Sequence, residues 1–254
     1  MLMRSVSLRY HKSFSACARL AEAIVVLLLL TSLTFATSIV ASRTLDEVVI
    51  GADSLGTFDN GKSIVTRNVC KIHEHAGVVF AIAGLEVNPP TGFNAAALIA
   101  AEAEKGYPIS ETIRAIESVI KPQLMRELVW QQKERPDMYR RRLIDNQELP
   151  LSFVLAGLEN GSPVLYARAF KIDGTILRVD SPNGEFTLWI GKSAAIERFR
   201  AQRKRRVYHS PVEFVRVLVQ LEIDDDEPTV GGPIDLVRIT RGGTEWVQRK
   251  SECK

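Results

Sequence analysis

The chain of 254 residues carries 46% apolar and 25% charged side chains, ordinary globular values that allow one large domain or two small ones and a sizeable core. Its formal charge of +3 comes from one end: residues 1–36 hold Arg4, Arg9, Lys12 and Arg19 against Glu22, and taking these from 33 basic and 30 acidic side chains leaves 29 of each. A neutral body argues against nucleic acid as the main partner, and three cysteines are too few for a disulfide framework.

The N-terminal segment has the three parts of a secretory signal. The four basic residues precede an uncharged apolar run, Ala23 to Phe35, and Thr34 and Ala36 are small residues at the two positions that a signal peptidase inspects. The expectation is a cleaved signal over 1–36 and a mature domain over 37–254, exported to a periplasmic or extracellular space. The apolar run is shorter than the roughly 20 residues of a comfortable bilayer span, so no stable membrane span is expected after cleavage; the alternative is an uncleaved membrane anchor. Cys17 falls inside the signal. Cys70 and Cys253 remain, as two thiols or as one bridge.

After Thr37 the pattern changes to strands. Ser38–Ser42 and Val48–Ala52 are short apolar runs around a polar, turn-sized Arg43–Glu47, which reads as a hairpin, and Gly77–Gly84 is a further buried-strand run bounded by glycines. Phe93–Lys105 is an alanine-rich helix that stops at Gly106. Ser110 to about Gln132 places Ile113, Ile116, Ile120, Leu124 and Leu128 at helical spacing, and Pro122 is expected to kink this helix or mark its weak point. Lys133–Leu149 is charged, contains Pro136 and reads as an exposed connection. A second block of strands follows at Leu151–Gly157, Val164–Lys171, Thr175–Asp180 and Phe186–Ile190, with Asp173-Gly174 and Asn183-Gly184 as hairpin turns. Two helices start at Ser193 and at Ser210-Pro211-Val212-Glu213, the second with a cap serine, a proline at the first helical position and a glutamate three residues after the cap. Ile234–Thr240 and Thr244–Gln248 close the chain around Gly242-Gly243. Strands and helices in segregated blocks suit an α+β layered domain rather than alternating βαβ units.

Most of the polar clusters read as surface. Arg140-Arg141-Arg142 and Arg203-Lys204-Arg205-Arg206 read as a solvated loop and helix end ahead of an anion site. Asp224-Asp225-Asp226-Glu227 lacks the glycine and spacing of a calcium loop. His73 and His75 read as surface residues ahead of zinc ligands. There is no GxSxG, HExxH or phosphate-loop signature.

Thr37 is different because of what a cut before it would expose. A threonine hydroxyl attacks only when a base takes its proton. The α-amine of a chain that begins at Thr37, with an ordinary pKa of about 7.7–8.0, is such a base within reach of its own hydroxyl. A lysine ammonium nearby would lower the amine's pKa, and a carboxylate would hold that lysine. Asp53, at the end of the strand "VVIGADS", and Lys71, in "VCKI" before the next strand, supply both. Ends of adjacent antiparallel strands meet in space although far apart in sequence.

At these residues the chain resembles a known family. "TSIVASR", "VVIGADSLGT" and "VCKIHEHAGVVFAIAGL" are similar to the β-type subunits of the proteasome and the proteolytic subunit of its bacterial ATP-dependent relative, which are N-terminal-nucleophile hydrolases. Thr37 matches the nucleophile, Asp53 the aspartate at the family spacing, Lys71 the lysine with two extra residues before it, and Gly84 the glycine whose N–H helps to form the oxyanion hole. "LSFVLAGLENGSPVLYARAFKIDGTI" and "GGPIDLVRITRGG" are similar to the central hairpin and closing strands, so that the resemblance covers nearly all of 37–250. It implies an αββα sandwich of two antiparallel sheets, a threonine-type endopeptidase acting on peptide or protein substrates, no cofactor or metal, and assembly into a homo-oligomeric ring. Three supporting positions depart from the family: Ile190 stands where a serine is usual, and Glu227 and Val230 stand where an aspartate and a serine precede the closing Gly231-Gly232. Glu227 and Ser193 are candidate substitutes for those supporting groups. The alternatives are an amidase or acylase with the same nucleophile, and a non-catalytic subunit that keeps the fold.

Overall fold

The computed structural model describes residues 37–59, 64–181, 185–202, 208–225 and 229–253. The expected signal over 1–36, Glu227 and the Arg203–Arg206 run lie outside the described residues. In chain order the strands are β1 (Ser38–Arg43), β2 (Glu47–Ala52), β3 (Leu55–Asp59), β4 (Ile64–Asn68), β5 (Ile72–His75), β6 (Val78–Gly84) and the two-residue β7 (Val87–Asn88) and β8 (Phe93–Asn94). Helices α1 (Ala95–Ala103), α2 (Ile109–Glu134) and α3 (Pro136–Tyr139) follow, then β9 (Leu151–Glu159), β10 (Ser162–Phe170), β11 (Ile176–Ser181) and β12 (Phe186–Gly191). Helices α4 (Ala194–Ala201) and α5 (Pro211–Asp225) precede β13 (Asp235–Thr240) and β14 (Gly243–Gln248).

The chain is α+β, with two five-stranded antiparallel sheets in the orders β12-β1-β2-β13-β14 and β11-β10-β9-β6-β5. Alternation along each strand sends successive side chains to opposite faces, and the burial follows it. On β1 and β2, Ile39, Ala41, Val48 and Ile50 meet Val79, Ala81, Val154 and Leu165 of the other sheet. The intervening Val40 and Val49 meet Ile196, Val215, Leu218 and Val219 of α4 and α5. In the second sheet, Val78, Phe80, Ile82, Phe153 and Leu155 pack on Ile99 of α1 and on Ile113, Ile116, Ile120 and Leu124 of α2. Among the described residues, three apolar clusters result: one with members from both sheets, and two that each join residues of one sheet to residues of a helix pair.

Two local features have a plain physical reason. Helix α2 runs through Pro122, because Pro122 and Ser118, whose carbonyl loses its amide partner, are both on the exposed side, where water can replace the missing bond. At the start of α5, Glu213 N–H donates to Ser210 Oγ at 3.2 Å, while the Glu213 carboxylate accepts from His209 N–H at 2.8 Å, one residue earlier than in a simple capping box. Two expectations are corrected. Lys133–Leu149 is not a plain exposed connection: Pro136 opens α3, a widened turn follows over Arg140–Asp145, Leu143 is buried against α1 and α2, and Arg142 pairs with Glu148 at 2.8 Å. The expected hairpin between β11 and β12 is not formed, since the two strands do not pair with each other. Asn183-Gly184 lies outside the described residues; β11 pairs with β10 in one sheet and β12 with β1 in the other. A hairpin turn and a sheet-to-sheet crossover use the same Asn-Gly chemistry. Only the partner of β12 separates them, and that partner lies about 150 residues upstream.

Candidate active site

The site is built at one end of the two sheets. β1 begins at Ser38, and Thr37 continues its backbone: the Thr37 carbonyl accepts from Lys192 N–H at 2.7 Å. One more step of strand alternation puts Thr37 on the face of Ile39 and Ala41, which is turned to the second sheet. The partner strand has to approach closely here. Gly191 has φ of +84°, and a methyl built on it would lie 1.8 Å from the Thr37 oxygen. Any side chain at 191 would push the Thr37 backbone away. The same built methyl would lie 3.5 Å from Ala83 Cβ, which brings the end of β6, with Gly84, to Thr37 across the gap between the sheets.

Asp53 follows β2 directly and is fully buried. Its Oδ1 accepts from Lys71 Nζ at 2.6 Å and from Ser38 N–H at 2.8 Å; its Oδ2 accepts from Leu55 N–H and Gly231 N–H, both at 3.1 Å. The Asp53 amide in turn donates to the Ser38 carbonyl at 3.1 Å. One carboxylate oxygen thus joins the Lys71 ammonium to the amide immediately after Thr37. Both partners of the ion pair are buried, with side-chain exposures of 3% and 0%. Burial holds the Lys71 ammonium below its ordinary pKa; the charge and hydrogen bond of Asp53 oppose that, and Lys250 adds to it.

Gly84 ends β6 opposite Leu151 of β9 and is exposed. The next residue, Leu85, donates its N–H to Pro150 O at 2.8 Å. Antiparallel alternation then turns the Gly84 N–H to the other side, past the point where β5 has ended. Its amide is therefore left out of the β6–β9 ladder at the end of the sheets where Thr37 lies.

The supporting candidates divide. Ile190 pairs with Ile39 and packs against the cluster between the sheets, and Val230 is fully buried, so two of the three departures from the resembled pattern are apolar packing positions. Ser193 stands at the start of α4, next to the Lys192 amide that holds Thr37, and its side chain makes no capping bond. Glu227 lies outside the described residues. Sequence reading missed Gly191, Ser54 and Lys250. Gly191 is signalled by nothing local, because what it makes room for is the Thr37 oxygen across the β1–β12 pairing. Ser54 and Lys250 are signalled by nothing local, because Lys250 Nζ meets Ser54 Oγ at 2.6 Å across 196 residues. Cys70 and Cys253, left open by the sequence, are joined as a disulfide with Cα atoms 5.6 Å apart. Among the described residues no three His, Cys, Asp or Glu side chains converge as metal ligands would, and no helix is long and apolar enough to cross a membrane.

No protein-family model and no curated protein sequence matches this chain. Solved structures do. One is an Anbu (Gly-1) mutant from Hyphomicrobium sp. strain MC1, which has 17% sequence identity and a TM-score of 0.54 over 84% of this chain and 86% of that one. The two chains share a fold.

Proposed function

We propose that the chain is a threonine-type N-terminal-nucleophile hydrolase that cleaves peptide bonds and is exported, with 1–36 removed as a signal and Thr37 as the first residue of the mature domain. The observation that carries this reading is the single Asp53 oxygen shared by Lys71 Nζ and the Ser38 amide. A buried ion pair costs desolvation energy and adds little net stability over an apolar pair. Its position at the first peptide after Thr37 gives it a use.

In this mechanism the Thr37 α-amine takes the proton of Oγ1, directly or through one water. Oγ1 attacks the scissile carbonyl carbon, and the resulting oxyanion receives the Gly84 N–H. The protonated amine gives its proton to the leaving peptide nitrogen, the C–N bond breaks, and an ester remains on Thr37. Water, deprotonated by the same amine, attacks the ester and releases the carboxylic acid with the hydroxyl restored. Lys71, positive and aimed by Asp53, lowers the amine's pKa so that it is free to act as base at neutral pH. The three apolar clusters support an αββα sandwich as the architecture, and the shared fold with the Anbu structure agrees with it. The disulfide supports export, since such bonds persist in oxidising compartments. A homo-oligomeric ring is part of the same reading and is checked by molar mass in solution, where an acylase could be a free monomer.

The apolar Ile190 and Val230 favour a second reading, a non-catalytic subunit with the same fold. One experiment separates the two. The protein is expressed with its full N-terminus and exported, its mature mass is measured, and it is treated with an electrophile that captures both the hydroxyl and the α-amine of an N-terminal threonine. A mature chain beginning at Thr37, labelled there and hydrolysing fluorogenic peptides, with label and hydrolysis both lost in Thr37→Ala, is the expected result. Any other first residue, or unchanged hydrolysis by Thr37→Ala, removes the mechanism; a chain that begins at Thr37 and takes no label is the non-catalytic subunit.

A further inference from the structure

The C-terminal segment reaches the same site from a second direction. Lys250 lies beyond β14 with its ammonium turned inward, and its side chain and that of Asp235 are 3% and 1% exposed. Nζ lies 3.0 Å from Asp235 Oδ2 and donates to Ser54 Oγ at 2.6 Å and to the Val69 carbonyl, while the Lys250 amide donates to Asp235 Oδ1 at 2.9 Å. Ser54 follows Asp53, and Val69 stands two residues before Lys71. One ammonium therefore ties the chain on both sides of the Asp53–Lys71 pair. Three residues further on, Cys253 N–H donates to the Lys250 carbonyl at 3.1 Å, and Cys253 is bonded to Cys70, the residue between Val69 and Lys71.

A second buried lysine beside the first is expensive to desolvate, and a methionine would fill the same slot without a charge. What the methionine could not do is hold Ser54 and Val69 together or place a positive charge against Lys71. We propose that Lys250 is a positioning residue for the Lys71–Asp53 pair, and that the Cys70–Cys253 disulfide fastens it in place. For its effect on hydrolysis this rests on the Thr37 reading above; for its effect on Lys71 it does not. The charged groups that face Lys71 are Asp53 from the end of β2, Lys250 from the C-terminal segment and Glu86 from the turn after β6. Lys250 and burial act in the same direction on Lys71, so removal of Lys250 raises the Lys71 pKa by lost repulsion and by loosened packing alike.

The test uses the full-length exported protein as wild type, Lys250→Met, and Lys250→Met with Asp235→Asn, which avoids a stranded buried carboxylate. The Lys71 ammonium is titrated by nitrogen-15 NMR, assigned with Lys71→Arg, and peptide hydrolysis is followed against pH. In both variants the Lys71 titration is expected to move up toward 10.5. kcat is expected to fall about tenfold at nearly constant KM, within the roughly 10²-fold that misplacing a reacting group can cost. Reduced wild type and Cys253→Ser should move the same way by less, because the ammonium is kept and only its tether is lost. A folded double variant with the wild-type Lys71 titration and pH–rate profile overturns the proposal, and if Lys250→Met alone fails to fold, the double variant carries the comparison. A shifted Lys71 in a protein that hydrolyses nothing leaves the positioning role standing and removes the hydrolase reading; hydrolysis with an unmoved Lys71 does the reverse.

Discussion

Asp53 Oδ1 serves two donors from different parts of the chain, Lys71 Nζ and the Ser38 amide, so its charge and its position do separate things. In the proposed mechanism, Lys71→Ala removes the cation that tunes the Thr37 amine. The pKa governing activity should rise, and the rate at neutral pH should fall on the order of 10²-fold, the usual cost of one such group. Lys71→Arg should recover only part of the loss, because a planar guanidinium does not fit a slot shaped to a buried ammonium. Asp53→Asn acts in the same direction: with the carboxylate gone, burial is unopposed, Lys71 gives up its proton more easily and its charge is no longer held at the site. Measuring pH–rate profiles and thermal midpoints together on the three variants checks this. A lysine with a purely structural role would lower the midpoint and leave the pH profile where it was. Of the residues proposed for the site, Asp53 and Lys71 could be singled out as partners because each sits in a short motif beside a strand, and the structure pairs them. Gly191 could not, because its reason is the Thr37 oxygen, a contact across the β1–β12 pairing that no local pattern reports.

At the scale of elements, the backbone that holds Thr37 is itself held by a helix start. Lys192 N–H bonds the Thr37 carbonyl, and two residues later α4 begins, where its first-turn amide at Ile196 donates to Glu222 Oε1 of α5 at 2.7 Å. Burial raises the Glu222 pKa, against the amides of Ile196 and Ala195. A raised folded pKa means that the folded chain binds this proton more tightly than the unfolded one. The resulting stability is fully present below the ordinary value of 4.5, falls as pH rises, and is lost above the raised folded value. Glu222→Gln keeps an oxygen acceptor for Ile196 N–H and removes the charge. It should therefore match wild type or fall slightly below it in acid and exceed it above the folded pKa, as read from thermal midpoints over a pH series; a difference independent of pH would contradict the assignment. Most strands were legible because β1, β2 and β6 are buried on both faces, which writes a short, nearly continuous apolar run into the sequence. The β11–β12 connection was misread for the converse reason. An Asn-Gly pair reports a tight reversal of direction and says nothing about which sheet receives the next strand. Lys133–Leu149 was misread because Leu143 is one buried residue among charged ones, too sparse to make a period.

At the scale of the molecule, the C-terminal segment is fastened to the residues on either side of the Asp53–Lys71 pair. Cys70 and Cys253 close a separation of 183 residues, and Lys250 crosses the same gap with its hydrogen bonds to Ser54 and Val69. Two cysteines alone could not declare this in the sequence, since thiols and a bridge have the same spelling. The pairing follows only once β13 lies beside β2 and carries the C-terminus past the loop that holds Lys71. A cross-link of this span acts chiefly on the unfolded chain by removing loop-closure freedom, and the chain-entropy relation puts that at about 5 kcal/mol for so long a loop. The double variant Cys70→Ser/Cys253→Ser should therefore unfold at a clearly lower urea midpoint than the oxidised protein. Its slope against urea should be steeper, because an unfolded chain without the bridge expands and exposes more surface. Reductant should bring the oxidised protein to the behaviour of the double variant and leave the double variant unchanged. Equal midpoints with and without the bridge would mean that Lys250 and its partners alone hold the C-terminal segment, and that the disulfide contributes nothing to the stability of the fold.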